Sequence, residues 1–212
     1  RGSLTLIEID GRVLSSQYQL ITNPTLWNFV VQERGAIVIP TAGVDHTVVK
    51  RCVLAGGCTV DELNNLVRAF ARQYPELKLE PYIVIFKGEN ASEDFEKYAG
   101  VAAELRRRTR KPLLHIIGVD TLIDTYGEKE ALWSIRTGLT ISRTMGDLFI
   151  ALLKPGYPRV AEILGATADV HLKVTREHGV ILIYGVKPRT NLYVVEMDVS
   201  EGYPMPRLTP VI

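Results

Sequence analysis

The feature that most constrains this 212-residue chain is an alternation of two hydrophobic periods. Short β-type runs at 4–9, 36–39, 81–86, 113–119 and 148–153 alternate with helix-type runs at 15–31, 46–54, 60–73, 93–110, 128–144 and 157–164. Such alternation predicts a parallel sheet with right-handed crossovers and helices on its faces. The run 113–119 is almost wholly apolar, as a central parallel strand must be when both faces are covered. After residue 169 the helices stop. Strands at 170–174, 180–186 and 192–197 follow one another and predict an antiparallel extension. The tail 203–212 carries prolines and is expected to be irregular.

Local signals sharpen the boundaries. Pro24 disfavours helix at Asn23, so the 15–31 helix is expected to be interrupted there. Thr59 followed by Glu62 reads as a capping box. Ser92 is expected to cap the next helix, and 121–127 to be a loop. No linker divides the chain, which predicts a single domain over 1–212: a parallel α/β core at 1–169, then antiparallel strands and an irregular tail at 170–212. Arg1–Gly2–Ser3 runs straight into a strand-like segment, as expected of a trimmed or processed end.

Composition excludes several classes. No run of 18 or more apolar residues predicts a membrane-spanning helix. A net charge of +1 gives no global case for binding nucleic acid or a membrane surface. Cys52 and Cys58 match neither a zinc motif nor a redox pair and are expected to be reduced thiols in a cytoplasm. His46, His115, His171 and His178 show no metal-ligand spacing. A Gly-x-Ser-x-Gly elbow and a Gly-x-Gly-x-x-Gly fingerprint are both absent, so hydrolase and dinucleotide readings lack support.

Three features carry chemistry. Asp120 ends an apolar central strand, where open α/β sheets bind ligands, with Thr121 beside it. Lys187 and Arg189 are expected on one face of a strand, with Pro188 between them marking an edge or a bulge. Arg106, Arg107, Arg108, Arg110 and Lys111 form a basic run at a helix C-terminus, where cations oppose the helix dipole. No aromatic residue interleaves the run, as a stacking platform for nucleic acid would require. The segment Lys154–Pro155–Gly156–Tyr157–Pro158–Arg159 reads as a turn.

Four segments, in order, resemble the RecA/KaiC-like P-loop ATPases. Arg1–Gly2–Ser3–Leu4–Thr5–Leu6–Ile7–Glu8 is similar to the first core strand. Val119–Asp120–Thr121 is similar to the Walker B segment. Leu164–Gly165–Ala166–Thr167–Ala168–Asp169–Val170–His171–Leu172 is similar to the entry into the terminal strands. Val186–Lys187–Pro188–Arg189–Thr190 resembles the Lys-x-Arg signature. The resemblance covers essentially the whole chain and is nearest to archaeal KaiC-like and GvpD-type domains. It implies a RecA-like fold, with a mainly parallel sheet flanked by helices and the antiparallel extension described above.

The resemblance places the phosphate loop at Gly11–Arg12–Val13–Leu14–Ser15–Ser16–Gln17–Tyr18. A working loop reads G-x-x-x-x-G-K-[ST]: glycines let backbone N–H groups wrap phosphates, the lysine neutralises them, and the hydroxyl holds magnesium. Gly11 fits. Ser16 replaces the second glycine, Gln17 the lysine and Tyr18 the hydroxyl residue. After the second strand, Pro40–Thr41–Ala42–Gly43 stands where relatives commonly carry a catalytic glutamate, and Asp45 lies several residues on. The implied function is a non-hydrolysing domain with a regulatory or scaffolding role, acting on a protein partner, a paralogous subunit or further copies of itself. The implied role of Asp120 is second-shell magnesium binding, and that of Lys187 and Arg189 is to reach across a subunit boundary. Neither ATP nor magnesium is then needed. Two alternatives stay open: a divergent ATPase that binds ATP and magnesium through Asp120 and a rebuilt loop, and a DNA-associated RadA-like recombinase paralogue using the basic run.

Overall fold

The first strand organises the molecule. In β1 (Ser3–Ile9) the side chains alternate between two cores, Leu4 and Leu6 on one face and Ile7 and Ile9 on the other. All four are buried, each contributing about 2 kcal/mol of apolar burial. The computed structural model describes residues 2–13, 22, 24–26, 28–29, 32–39, 41, 88–198 and 205–211, without the side chains of Met197 and Met205. The expected elements at 46–54, 60–73 and 81–86, with both cysteines, Asp45, His46, Thr59 and Glu62, lie outside the described residues.

The remaining elements are β2 (Ala36–Ile39), α1 (Ala91–Thr109), β3 (Leu114–Gly118), α2 (Val119–Tyr126), α3 (Glu128–Met145), β4 (Leu148–Leu153), α4 (Pro158–Thr167), β5 (Val170–Glu177), β6 (Val180–Lys187), β7 (Arg189–Asp198) and β8 (Met205–Pro210). Among the described residues the strands form one sheet in the order β2-β3-β4-β1-β5-β6-β7-β8. From β2 to β5 the pairs are parallel, and from β5 to β8 antiparallel. Thus β5, expected within the antiparallel extension, is parallel to β1 on one side and antiparallel to β6 on the other. β4 lies between β1 and β3, so the turn after β1 and the end of β3 are separated by one strand. Val13, Leu26 and Phe29 pack on one face of the sheet. Ile135 and Leu139 of α3 and Val160 and Leu164 of α4 pack on the other.

Three expectations are corrected. Asn90, not Ser92, caps α1: its side chain accepts from the backbone N–H of Ser92 at 2.9 Å, and the helix begins at Ala91. Residues 121–126, expected in a loop, and Val119, expected to end the strand, belong to α2, because Leu122 and Ile123 pack against the core while Asp124 and Thr125 face solvent. The tail is not irregular, since Met205–Pro210 forms β8 against β7. Its prolines are tolerated for a geometric reason. Val211 N–H donates to the Leu192 carbonyl, so positions 207, 209 and 211 face β7 and Pro206, Leu208 and Pro210 face outward. Neither proline removes a ladder bond.

Candidate functional site

Open parallel sheets bind ligands beyond the carboxyl ends of their strands. Three segments converge there: the turn Asp10–Val13 after β1, the start of α2 after β3, and the loop 154–157 after β4. Asp120 is buried in the first turn of α2. The Lys154 Nζ lies 4.0 Å from its Oδ2. Register explains the meeting: Leu152 pairs with Gly118 of β3 and with Ile7 of β1, so Lys154 emerges between the other two segments. Thr121 is half-buried, and its carbonyl accepts from the Thr125 hydroxyl at 2.7 Å.

In the described part of the implied phosphate loop, Arg12 is tied to carboxylates on either side of it. Arg12 forms a fork on Asp10, with Nε at 3.0 Å from Oδ1 and Nη2 at 2.9 Å from Oδ2. The same guanidinium reaches Glu177 at the end of β5, with Nη2 at 2.6 Å from Oε1 and Nη1 at 3.0 Å from Oε2. Hydrogen bonds from the Arg12 side chain, then from its backbone N–H, pull the Asp10 carboxyl from its ordinary 3.8 down to about 2. Arg12, at 56% side-chain exposure, is nonetheless accessible to water and salt. Gly11 is exposed, and a Cβ added there would meet Pro155 Cγ at an ordinary 3.7 Å. Among the described residues, nothing around Gly11 demands glycine. Ser16, Gln17 and Tyr18 lie outside the described residues.

A pocket of about 380 Å³ opens beside this turn, between the ends of β1, β4 and β5 and the start of α4. Glu8, Lys154, Lys173, Tyr157 and Tyr184 line it. Lys173 Nζ pairs with Glu8 Oε2 at 3.4 Å, and His171 Nε2 contacts Glu8 Oε1. The Tyr157 hydroxyl donates to Asp124 Oδ1 at 2.8 Å, which tethers the 154–157 loop to α2 and raises the Tyr157 pKa.

Lys187 and Arg189 are not on one strand. β6 ends at Lys187, Pro188 is the turn, and β7 begins at Arg189. Proline lacks the N–H that a continuing strand would use, and the Lys187–Pro188 bond is cis. The Lys187 ammonium folds back to donate to the Ala168 carbonyl, while Arg189 is exposed. Gly185 permits the tight hairpin, since a side chain there would collide with the Pro188 carbonyl.

The basic run sits at the other end of the sheet. Arg106 bonds Asp147, Arg107 and Arg108 bond Glu104, and Lys111 bonds Glu33 and the Gln32 carbonyl. These are intramolecular ties at the end of α1, not a free stripe. Among the described residues no group of three or more His, Cys, Asp or Glu could hold a metal ion, and no helix is long and apolar enough to cross a membrane.

Lys154 and the Asp10–Arg12–Glu177 fork are the features that sequence reasoning missed. Lys154 carried the same signal as Asp120, a charged residue directly after an apolar strand. The Asp10–Arg12 half of the fork is local, but its tie to Glu177 spans 165 residues and left no local trace.

No family model matches the chain. It is 21% identical to Protein GvpD2 of Halobacterium salinarum over 220 aligned positions, which cover 100% of this chain and 44% of that protein. Over 118 positions it is 25% identical to Protein GvpD1 of the same organism, covering 56% of this chain and 21% of that one. The chain thus spans less than half the length of these relatives. Among solved structures, the KaiC-like protein PH0186 of Pyrococcus horikoshii superposes with a TM-score of 0.57 at 10% identity, covering 97% of this chain and 89% of that one. The uncharacterized protein PH0321 of the same species, solved in complex with an unknown peptide, gives a TM-score of 0.57 at 16% identity, covering 98% and 92%. The order and directions of the strands and these two likenesses agree: the chain has the KaiC-like RecA fold.

Proposed function

We propose that this domain is a non-hydrolysing unit of the KaiC-like RecA fold, with a regulatory or scaffolding role exercised through protein contacts in an archaeal cytoplasm. One observation carries the reading. Arg12, the cation in the described part of the implied phosphate loop, is engaged by Asp10 and Glu177. The sequence offers Gln17 where a lysine would neutralise the triphosphate and Tyr18 where a small hydroxyl would hold magnesium. A triphosphate approaching this turn meets two carboxylates already joined to the local positive charge, which opposes binding. In this reading the exposed Arg189 at the hairpin tip is the group that meets a neighbouring subunit or a paralogue. The relatives' greater length leaves room for this domain to act on the rest of a longer protein.

The test is steady-state release of inorganic phosphate from ATP with magnesium, run beside calorimetry. The expected outcome is no release above blank and no heat at millimolar nucleotide. Release that disappears in Asp120→Asn overturns the reading. Micromolar binding without release supports a second reading, a divergent ATP-binding domain, which the pocket of about 380 Å³ beside the turn favours. The DNA-associated reading has less behind it, since Arg106, Arg107, Arg108 and Lys111 of its basic run are engaged by groups of the same chain.

A further inference from the structure

We propose that Lys154 stands in for a divalent cation beside Asp120, so that this site excludes magnesium. The inference deepens the proposed function and rests on it for the identity of the site. A carboxylate that addresses magnesium from the second shell does so through a metal-bound water. Magnesium–oxygen bonds of about 2.1 Å and a water-to-carboxylate hydrogen bond of about 2.7 Å, meeting at an angle, put the metal roughly 4 Å from the carboxylate oxygen. The Lys154 ammonium lies 4.0 Å from Asp120 Oδ2. It occupies the shell that the metal would need, with like charge.

The lysine is held there by the sheet. It directly follows Leu153, and the two preceding residues pair with Ile7 and Glu8 of β1. Its side chain is 28% exposed, while that of Asp120 is 3% exposed, so the pair is more shielded from water and salt than a surface ion pair. Burial explains the lysine: an ionised carboxylate removed from water requires a counter-charge, and a covalently attached ammonium provides one without a metal. Among the described residues at this edge, Asp10 is bound by Arg12 and Glu8 by Lys173. Magnesium demands a near-octahedral shell of oxygen ligands, and the ammonium stands where part of that shell would have to sit beside Asp120.

The experiment is thermal unfolding in magnesium chloride against potassium chloride of matched ionic strength, on the wild type, Lys154→Met, Asp120→Asn and the double variant. The wild type is expected to show no magnesium-specific shift. Lys154→Met is expected to melt lower than the wild type and to regain about 3 °C at about 10 mM magnesium, the response of a millimolar site in a chain of this size. The double variant is expected to lose that response. A magnesium shift in the wild type that vanishes in Asp120→Asn overturns the proposal. So does a folded Lys154→Met that ignores magnesium. If Lys154→Met does not fold, the wild type against Asp120→Asn still decides. Phosphate release keeps the two readings apart: release by the wild type in excess chelator sinks the non-hydrolysing reading and spares this one, whereas a magnesium shift without release does the reverse.

Discussion

Arg12 shows how one side chain can set the state of a loop. Its guanidinium joins the turn after β1 to the end of β5, two elements that the sequence places more than 160 residues apart. The pH dependence follows from Asp10. Its carboxyl is held at about 2 instead of 3.8, so the stabilisation is complete above the higher value and is lost as pH falls through the lower. Arg12→Ala removes the cause. The variant is therefore expected to be less stable than the wild type at about pH 5, with the gap closing towards about pH 2. Urea midpoints measured at both pH values check this, and a gap that stays constant across the window contradicts it. Because Arg12 is largely exposed, added salt is expected to narrow the gap as well.

Legibility in the sequence differed between elements. β4 was expected at 148–153 and lies there, because a six-residue apolar run followed by Lys-Pro-Gly admits little else. Asp120 was singled out by the same kind of signal, a charged residue after an apolar run, and lies two residues past β3 in the first turn of α2. α2 was not, because eight residues with Leu122 and Ile123 as the inward pair are too few to show a helical period, and packing against the core decides the conformation. β8 was hidden by its prolines, which read locally as breakers. Only the register shows that Pro206 and Pro210 point away from β7 and leave Leu208 as the one outward N–H donor of that strand. This edge is the last in the sheet among the described residues, and the prolines keep it from templating a further strand. Replacing both with valine adds two outward donors to a strand of higher β propensity. The double variant is expected to self-associate at concentrations where the wild type does not change size, as read by light scattering over a dilution series.

At the scale of the whole molecule, polar groups concentrate at the two ends of the parallel sheet and serve different ends. The carboxyl end carries Asp120, Lys154 and the pocket. The amino end carries a buried network built on Asp147, whose side chain is fully buried. Asp147 accepts from Arg106 of α1, from the Leu113 N–H at 2.8 Å, and from His115 Nε2 at 3.1 Å. Tyr98 of α1 contacts His115 Nδ1, and burial raises the Tyr98 pKa, which keeps its hydroxyl protonated as the donor. Burial alone would raise the Asp147 pKa, but His115, the Leu113 N–H and Arg106 outweigh it and hold the carboxyl below its ordinary value. The network's stabilisation is therefore present throughout the neutral range and is lost only as acid titrates Asp147 below the usual carboxylate range. Asp147→Ala strands Arg106 and His115 without their acceptor and removes the charged tie between α1 and the residue that precedes β4. Breaking a buried charged pair costs about 3 kcal/mol, which in a chain of this length lowers the melting temperature by roughly 6–12 °C. The change lies at the opposite end of the sheet from Lys154, and distant sites add independently. Asp147→Ala combined with Lys154→Met is then expected to melt lower by the sum of the two single shifts, and circular dichroism melts of the four proteins measure it. A combined shift well short of that sum would mean that the two ends communicate through β3 and β4.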